Sequence, residues 1–84
     1  MKKHTTMFLL EVYDRTIYGN KHLFKRRISD SIGNIEDWLH EHAPNWAIVP
    51  VEIKCDEYGS GIIHIKGHEE SDLFTFYTTE IAMV

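Results

Sequence analysis

Apolar and polar residues alternate along the first part of the chain with the two-residue period of a β-strand. Between Thr5 and Ile17, the positions of Phe8, Leu10 and Val12 form a wholly apolar side, while the opposite side is mixed. A strand buried on one face has this pattern because successive side chains point to opposite faces of a sheet. The pattern therefore predicts a first strand over this segment.

A second strand is predicted over residues 22–28, after a two-residue turn at Gly19 and Asn20. Both turn residues tolerate positive φ, which the tight turns of β-hairpins require. The second strand is rich in cations, so the predicted hairpin has a basic outer strand. Strict alternation gives this strand two faces, one with Leu23, Lys25 and Arg27 and the other with Phe24, Arg26 and Ile28.

The apolar period changes to three and four residues in the middle of the chain, which indicates an amphipathic helix. Asp30 is the predicted N-cap, and the helix runs to about His42. Pro44 ends the helix, because the residue before a proline is disfavoured in the α region. The apolar stripe of this helix comprises Ile32, Ile35, Trp38, Leu39 and His42.

Two further strands are predicted over residues 46–56 and 62–66, joined by the turn Gly59-Ser60-Gly61. Pro50 lacks a backbone N–H, so the first of these strands is expected to lie at a sheet edge or to contain a bulge. Cys55 falls on the apolar side of the same strand. We therefore expect it to be an inert, small core residue.

The last part of the chain carries conflicting signals. Residues 69–72 are acidic or hydroxylic, which is typical of the first turn of a helix. The threonines that follow are β-branched and favour a strand. The first interpretation gives a short helix near 69–77 and a last strand near 79–84. The alternative is a single strand over about 72–83.

Together these elements predict a single α+β domain over residues 1–84, with the order β-β-α-β-β-(α)-β. A mostly antiparallel sheet, with one main helix and a short second helix on one face, would make a two-layer sandwich. This arrangement resembles ferredoxin-like folds in architecture alone. Unrelated functions share such architectures, so the resemblance implies no activity.

The net charge of −4 is distributed unevenly along the chain. Residues 1–28 carry seven cations and two carboxylates, whereas residues 29–84 carry two cations and eleven carboxylates. Such segregation can produce a two-sided electrostatic surface. Basic and acidic strands that lie side by side and neutralise each other would produce the same sequence.

The cysteine content and the hydropathy pattern indicate the compartment. The lone Cys55 cannot form an intrachain disulfide, whereas small secreted domains usually carry several. No apolar run approaches the roughly 20 residues of a membrane span. We therefore expect a cytoplasmic protein.

Motifs that would indicate catalysis or metal binding are missing from the sequence. It contains no P-loop, dinucleotide-binding or nucleophile-elbow pattern, and Ser60 lies in a turn between two strands. Six histidines are many for this length. However, His40 and His42 project about 200° apart on a helix, and His64 and His68 match no zinc signature. We expect surface histidines, no enzyme activity and no bound metal or cofactor.

The C-terminal quarter resembles a segment of known proteins. The run Ile63-His64-Ile65-Lys66, followed by Glu69-Glu70-Ser71-Asp72-Leu73-Phe74-Thr75-Phe76, is similar to a strand–acidic–Asp-x-x-x-Phe tail of small accessory proteins of tailed bacteriophages. Thr78 and Glu80 stand where that tail would have a Leu-x-Trp ending. The resemblance implies a phage-encoded protein, many of which bind and redirect a host protein, and it transfers no functional residue.

The basic second strand is the strongest candidate for a binding site. Its cations are Lys21, Lys25, Arg26 and Arg27, with Tyr18 and Phe24 interleaved. Such a strand can attract an acidic protein, or it can contact nucleic-acid phosphates while an aromatic ring stacks on a base. Trp46 follows Pro44 and Asn45, and is expected either to anchor a partner or to pack over the end of the helix.

The predicted function is a small non-enzymatic protein-binding module, interpreted as a phage-encoded inhibitor or modulator of a host protein. The expected partner is another protein with an acidic patch. The alternative is a nucleic-acid-binding regulator that uses the basic strand around residues 21–27. We expect a monomer or a weak dimer formed through a sheet edge, because edge strands present unpaired backbone groups.

Overall fold

The computed structural model describes the chain over residues 5–16 and 22–83, with side chains over 6–16 and 22–81. In chain order, the elements are β1 (Thr5–Asp14), β2 (His22–Ser29), α1 (Ile32–His42), a 3-10 helix (Ala43–Trp46), β3 (Val51–Cys55), β4 (Gly61–Ile65) and β5 (His68–Met83). The described strands form one antiparallel sheet in the order β2-β1-β5-β4-β3. The predicted α+β class, with a mostly antiparallel sheet and one main helix, is confirmed.

The hydrophobic core lies between α1 and one face of the sheet. Its buried side chains come from α1, from Ala43 at the start of the 3-10 helix, and from the three central strands β1, β5 and β4. The core comprises Leu10, Val12, Ile35, Leu39, Ala43, Ile63, Phe74 and Phe76. The opposite face of the sheet has no helix packed on it among the elements that the structure describes.

The N-terminus of α1 is capped one residue later than predicted. Ser31, not Asp30, is the N-cap, and its hydroxyl oxygen accepts a hydrogen bond from the backbone N–H of Asn34 at 3.2 Å. Asp30 instead accepts a hydrogen bond from the side-chain amide of Asn34 at 2.8 Å. Both residues therefore stabilise the first turn, in which backbone N–H groups have no helical partner.

The predicted short helix near 69–77 is wrong. Residues 68–83 form the single long strand β5, as in the alternative interpretation. β5 pairs with β1 on one side and with β4 on the other, so a central sheet position satisfies its backbone groups. Ladder bonds to two neighbours outweigh the helix-start signal of the acidic residues, because local propensity is a weak preference that tertiary contacts override.

A β-bulge changes the faces predicted for β2. The register of β1 and β2 shifts between Val12 and Tyr13, so Lys25 lies opposite Val12 while Leu23 lies opposite Tyr13. The intervening Phe24 has no partner in the ladder, and its ring packs against the core residue Phe74. The predicted grouping of Phe24 with Arg26 is therefore wrong, because a bulge reverses the alternation beyond it.

The predicted strand over residues 46–56 is shorter than expected. Trp46 ends the 3-10 helix, and β3 begins only at Val51, directly after Pro50. β3 is an edge strand, which is one of the two alternatives that the proline predicted, because its sheet neighbour is β4 alone. The freed segment 47–50 becomes a loop beside the end of α1. The predicted turn at Gly19 and Asn20 lies outside the described residues.

No helix in the described part of the chain is both long and apolar enough to cross a membrane.

Candidate functional site

A groove opens at the C-terminal end of α1, between the edge of β2 and the loop 47–50. Its volume is about 310 Å³. The lining is mostly apolar and comprises Phe24, Trp46, Ala47, Ile48, Val49, Leu73 and Phe74, with the polar residues Asp14 and Thr16. We call this feature the Trp46 groove. It is partly open to solvent, so a side chain of another molecule can enter it.

The floor of the Trp46 groove is an aromatic cluster. The ring of Trp46 lies 5.2 Å from that of Phe24, 5.6 Å from that of Trp38 and 5.6 Å from that of Phe74, measured between centroids. Trp46 is half-buried and packs over the end of the helix, which is one of the two roles predicted for it. Edge-to-face contacts of this kind fix ring orientation, so the floor is preformed.

The wall of the groove exposes aliphatic side chains. Ile48 is fully exposed, and Val49 is 37% exposed. Their loop is short and is held at one end by the Trp46 packing and at the other by the entry to β3. Single exposed apolar residues are common, but apolar residues grouped around a concave surface are typical of interaction sites.

Two of the predicted cations flank the groove. The Lys25 ammonium lies 5.4 Å from the centroid of the Phe24 ring, and the Arg27 guanidinium lies 5.6 Å from that of Trp38. Both side chains are exposed, and neither forms an ion pair with any residue that the structure describes. Their charge therefore remains available to an acidic group, while the contacts with the aromatic rings hold the two charged groups in place.

The other predicted cations are not part of this flank. Arg26 lies on the opposite face of the sheet, where its Nη2 is 3.0 Å from Oε2 of Glu11 on the neighbouring strand. This cross-strand ion pair neutralises Arg26 within the domain. Lys21 and Tyr18 lie outside the described residues. The structure thus divides the predicted basic strand into two surfaces.

Sequence reasoning missed several residues of the groove. Ile48, Val49 and Leu73 were assigned to strands or to the tail helix, so their exposure around one concavity was not expected. The signal that could have located the loop is the pair Pro44 and Pro50, which bracket the segment and disfavour both helix and ladder pairing within it.

Ser60 has a structural role, and the partly buried Cys55 packs against the core. The Ser60 hydroxyl accepts a hydrogen bond from the backbone N–H of Thr78 at 3.0 Å, which ties the β3–β4 turn to β5. Burial raises the pKa of the Cys55 thiol, and the carboxylates of Glu36 and Asp56 raise it further. A raised pKa leaves less thiolate and lowers nucleophilicity.

His64 is completely buried, so the expectation of surface histidines is wrong for this residue. Its Nδ1 lies 2.9 Å from the carbonyl oxygen of Ile65 and can donate to it. Its Nε2 has no hydrogen-bond partner among the described residues and lies 3.9 Å from a carboxylate oxygen of Glu52. Within the described part of the chain, no three His, Cys, Asp or Glu side chains are placed to hold a metal ion.

No protein-family model, no curated protein and no solved structure matches this chain. The ferredoxin-like resemblance and the resemblance of the C-terminal quarter to phage accessory proteins therefore remain predictions.

Proposed function

We propose that this chain is a small non-enzymatic protein-binding module that engages its partner at the Trp46 groove. The observation that carries the proposal is the fully exposed Ile48 beside a mostly apolar concavity with a preformed aromatic floor. Buried anchor side chains in such pockets supply most of the binding free energy of protein interfaces. A partner side chain that fills the groove would bury Ile48 and complete the packing around Trp46.

The flanking cations indicate the charge of the partner. Lys25 and Arg27 lie beside the groove without a carboxylate partner in the described structure. Opposite charges on the partner would steer association and fix its orientation. An acidic patch next to an apolar anchor is therefore the chemistry that this surface fits best.

The alternative function, nucleic-acid binding by the basic strand, has less support from the geometry. Lys25 and Arg27 lie on one face of the sheet, whereas Arg26 is paired with Glu11 on the other. A strand of phosphates would meet two separated cations instead of a continuous track, and affinity for nucleic acid depends on the number of phosphates neutralised.

The biological setting is part of the same proposal. The resemblance of residues 63–76 to phage accessory proteins supports a phage-encoded inhibitor or modulator whose partner is a host protein. The lone Cys55 supports action in the reducing cytoplasm. We also propose a monomer or a weak dimer, and light scattering that gave a tight tetramer would contradict this state.

Site-specific photo-crosslinking tests the proposal. A benzophenone amino acid replaces Ile48 in one variant and Tyr58 in the control, because Tyr58 is 70% exposed but lies near the N-terminal end of α1. In bacterial cells, the Ile48 probe should give one discrete protein adduct that excess unlabelled protein suppresses. Equal adducts from both probes would refute the groove as the binding site, and adducts with nucleic acid alone would establish the alternative.

A further inference from the structure

We propose that the partner binds as an extended acidic segment that adds a sixth strand to the sheet along the outer edge of β2, with one apolar side chain in the Trp46 groove. This inference rests on the proposed function and specifies how the groove is used. It identifies the partner by its chemistry, namely alternating carboxylates and an apolar anchor on one face of a β-strand.

No element that the structure describes covers the outer edge of β2. β2 is the outermost strand, with β1 as its sheet neighbour, and residues 22–28 are all exposed. No described loop or side chain hydrogen-bonds to the outward backbone groups of this strand. Every second residue of an edge strand presents its N–H and C=O outward, so a peptide can pair with it through main-chain bonds.

Side chains on the helix face of β2 define what the added strand would carry. Arg27 and Lys25 lie opposite the core residues Leu10 and Val12, so they share the face that α1 covers. A strand paired with β2 would place alternate side chains on this face beside the two cations. Carboxylates at those positions would give two ion pairs that the isolated domain lacks.

The bulge connects the edge to the groove. Phe24 is displaced from the β1–β2 ladder and packs against Trp46 and Phe74, so it belongs both to the edge strand and to the groove lining. The added strand would therefore reach the groove next to the position of Lys25. An apolar residue there would contact Phe24 and the exposed Ile48.

A second copy of this chain fits the edge poorly. Antiparallel pairing of two β2 strands would bring the cations of one copy near those of the other, and like charges opposite each other destabilise a sheet. If β3 of a second copy paired with β2 instead, its apolar Val51 and Ile53 would lie on the helix face beside Lys25 and Arg27. Neither cation would then meet a carboxylate. The geometry therefore favours a different, acidic chain.

Edge cations can also serve solely to prevent aggregation, which native proteins achieve with lysine and arginine on exposed strands. The two roles differ in their response to charge reversal. If prevention of aggregation is the sole role, the Lys25→Glu, Arg27→Glu variant would not aggregate, because glutamate also protects an exposed edge, and its affinity for an acidic peptide would not change. If β2 accepts a strand, the variant would lose affinity for such a peptide.

Titration with a synthetic peptide tests the inference directly. In the probe, two glutamates and one leucine occupy alternate positions, separated by threonines. Its binding should shift the amide NMR signals of β2 and slow the hydrogen exchange of the outward amides. Two control peptides are used. The first has the same residues in an order that removes the alternation. The second has the sequence of the probe with N-methyl groups on the peptide nitrogens, which removes the main-chain donors. Each should bind roughly tenfold or more weakly.

Charge-reversal variants complete the design. The Lys25→Glu, Arg27→Glu variant should bind the probe roughly tenfold or more weakly, whereas Lys66→Glu, in the β4–β5 turn, should bind normally. Probe-induced shifts at Ile48 and Val49 without any at β2 would overturn the strand-addition inference and leave the groove function intact. Failure of the probe to bind would also overturn it, while the Ile48 crosslink tests the proposed function separately.

Discussion

Phe24 and Trp46 pack edge to face, with ring centroids 5.2 Å apart and an angle of 75° between the ring planes. One ring comes from the bulge of the outermost strand and the other from the 3-10 helix that follows α1. This contact joins the sheet edge to the helical layer, so the stability of the fold and the shape of the candidate site depend on the same pair.

Trp46 and Ile48 should separate stability from binding. Trp46→Ala removes a ring that contacts three other aromatic side chains, so we expect a loss of about 2–4 kcal/mol in the free energy of unfolding. Ile48 is fully exposed, and Ile48→Ala should change that free energy by less than about 0.5 kcal/mol. Urea denaturation measures both. A large loss of stability from Ile48→Ala would show that the loop is part of the core.

The ion pair of Arg26 and Glu11 should contribute little to stability and nothing to binding at the groove. The Arg26 side chain is 56% exposed, and exposed pairs are worth about 0.2–1 kcal/mol. A double-mutant cycle with Arg26→Ala and Glu11→Ala, measured at low and high salt, should give a coupling energy in this range that falls with salt. A coupling that salt leaves unchanged would indicate that the pair is less exposed than it is in this structure.

The capping assignment predicts different costs at two adjacent residues. Ser31→Ala removes the hydroxyl that accepts the Asn34 backbone N–H, and should cost about 1 kcal/mol. Asp30→Ala removes an exposed side-chain hydrogen bond and should cost less than about 0.5 kcal/mol. Thermal denaturation of both variants checks the order. The reverse order would restore Asp30 as the cap.

Gly61, the first residue of β4, and Gly67, in the β4–β5 turn, should respond very differently to alanine. A Cβ at Gly61 would lie 1.9 Å from the backbone oxygen of Lys54, so Gly61→Ala must displace β3 and should prevent stable folding. A Cβ at Gly67 would meet open space, but this residue has a φ of 83°. Gly67→Ala should therefore cost only about 1–2 kcal/mol, and Gly67→Asn less. Circular dichroism and urea denaturation distinguish the outcomes.

The ion pair of Lys54 and Glu69 predicts a pH dependence. Their Nζ and Oε1 atoms lie 2.5 Å apart, and the hydrogen bond and charge of Lys54 hold the pKa of the Glu69 carboxyl below its ordinary value. A lowered pKa means that the contribution to stability is present above the unfolded pKa and is lost as the pH falls through the folded pKa. Carboxyl NMR titration should show Lys54→Met returning the Glu69 pKa toward its ordinary value, whereas Lys66→Met should leave it unchanged.

The alternation and helical periodicity of the sequence determined most of the fold. Leu10 and Val12 are buried as the two-residue period predicts, and Ile35 and Leu39 are buried as the helical period predicts. These patterns are reliable because each element must bury its apolar side, and the geometry of a strand or helix decides which residues share that side. The edge position of β3 was one of the two alternatives that the missing N–H of Pro50 predicted.

The form of the tail and the position of the site depend on contacts between distant segments. Residues 68–83 become one strand because β1 and β4 offer hydrogen bonds on both sides. The sequence of the tail alone does not indicate that these two neighbours are present. The bulge that moves Phe24 toward Trp46, and so places it on the face of Lys25 and Arg27, depends on the pairing of β1 with β2. Local periodicity reports which residues can be buried, whereas the position of a groove depends on contacts between segments that are distant in sequence.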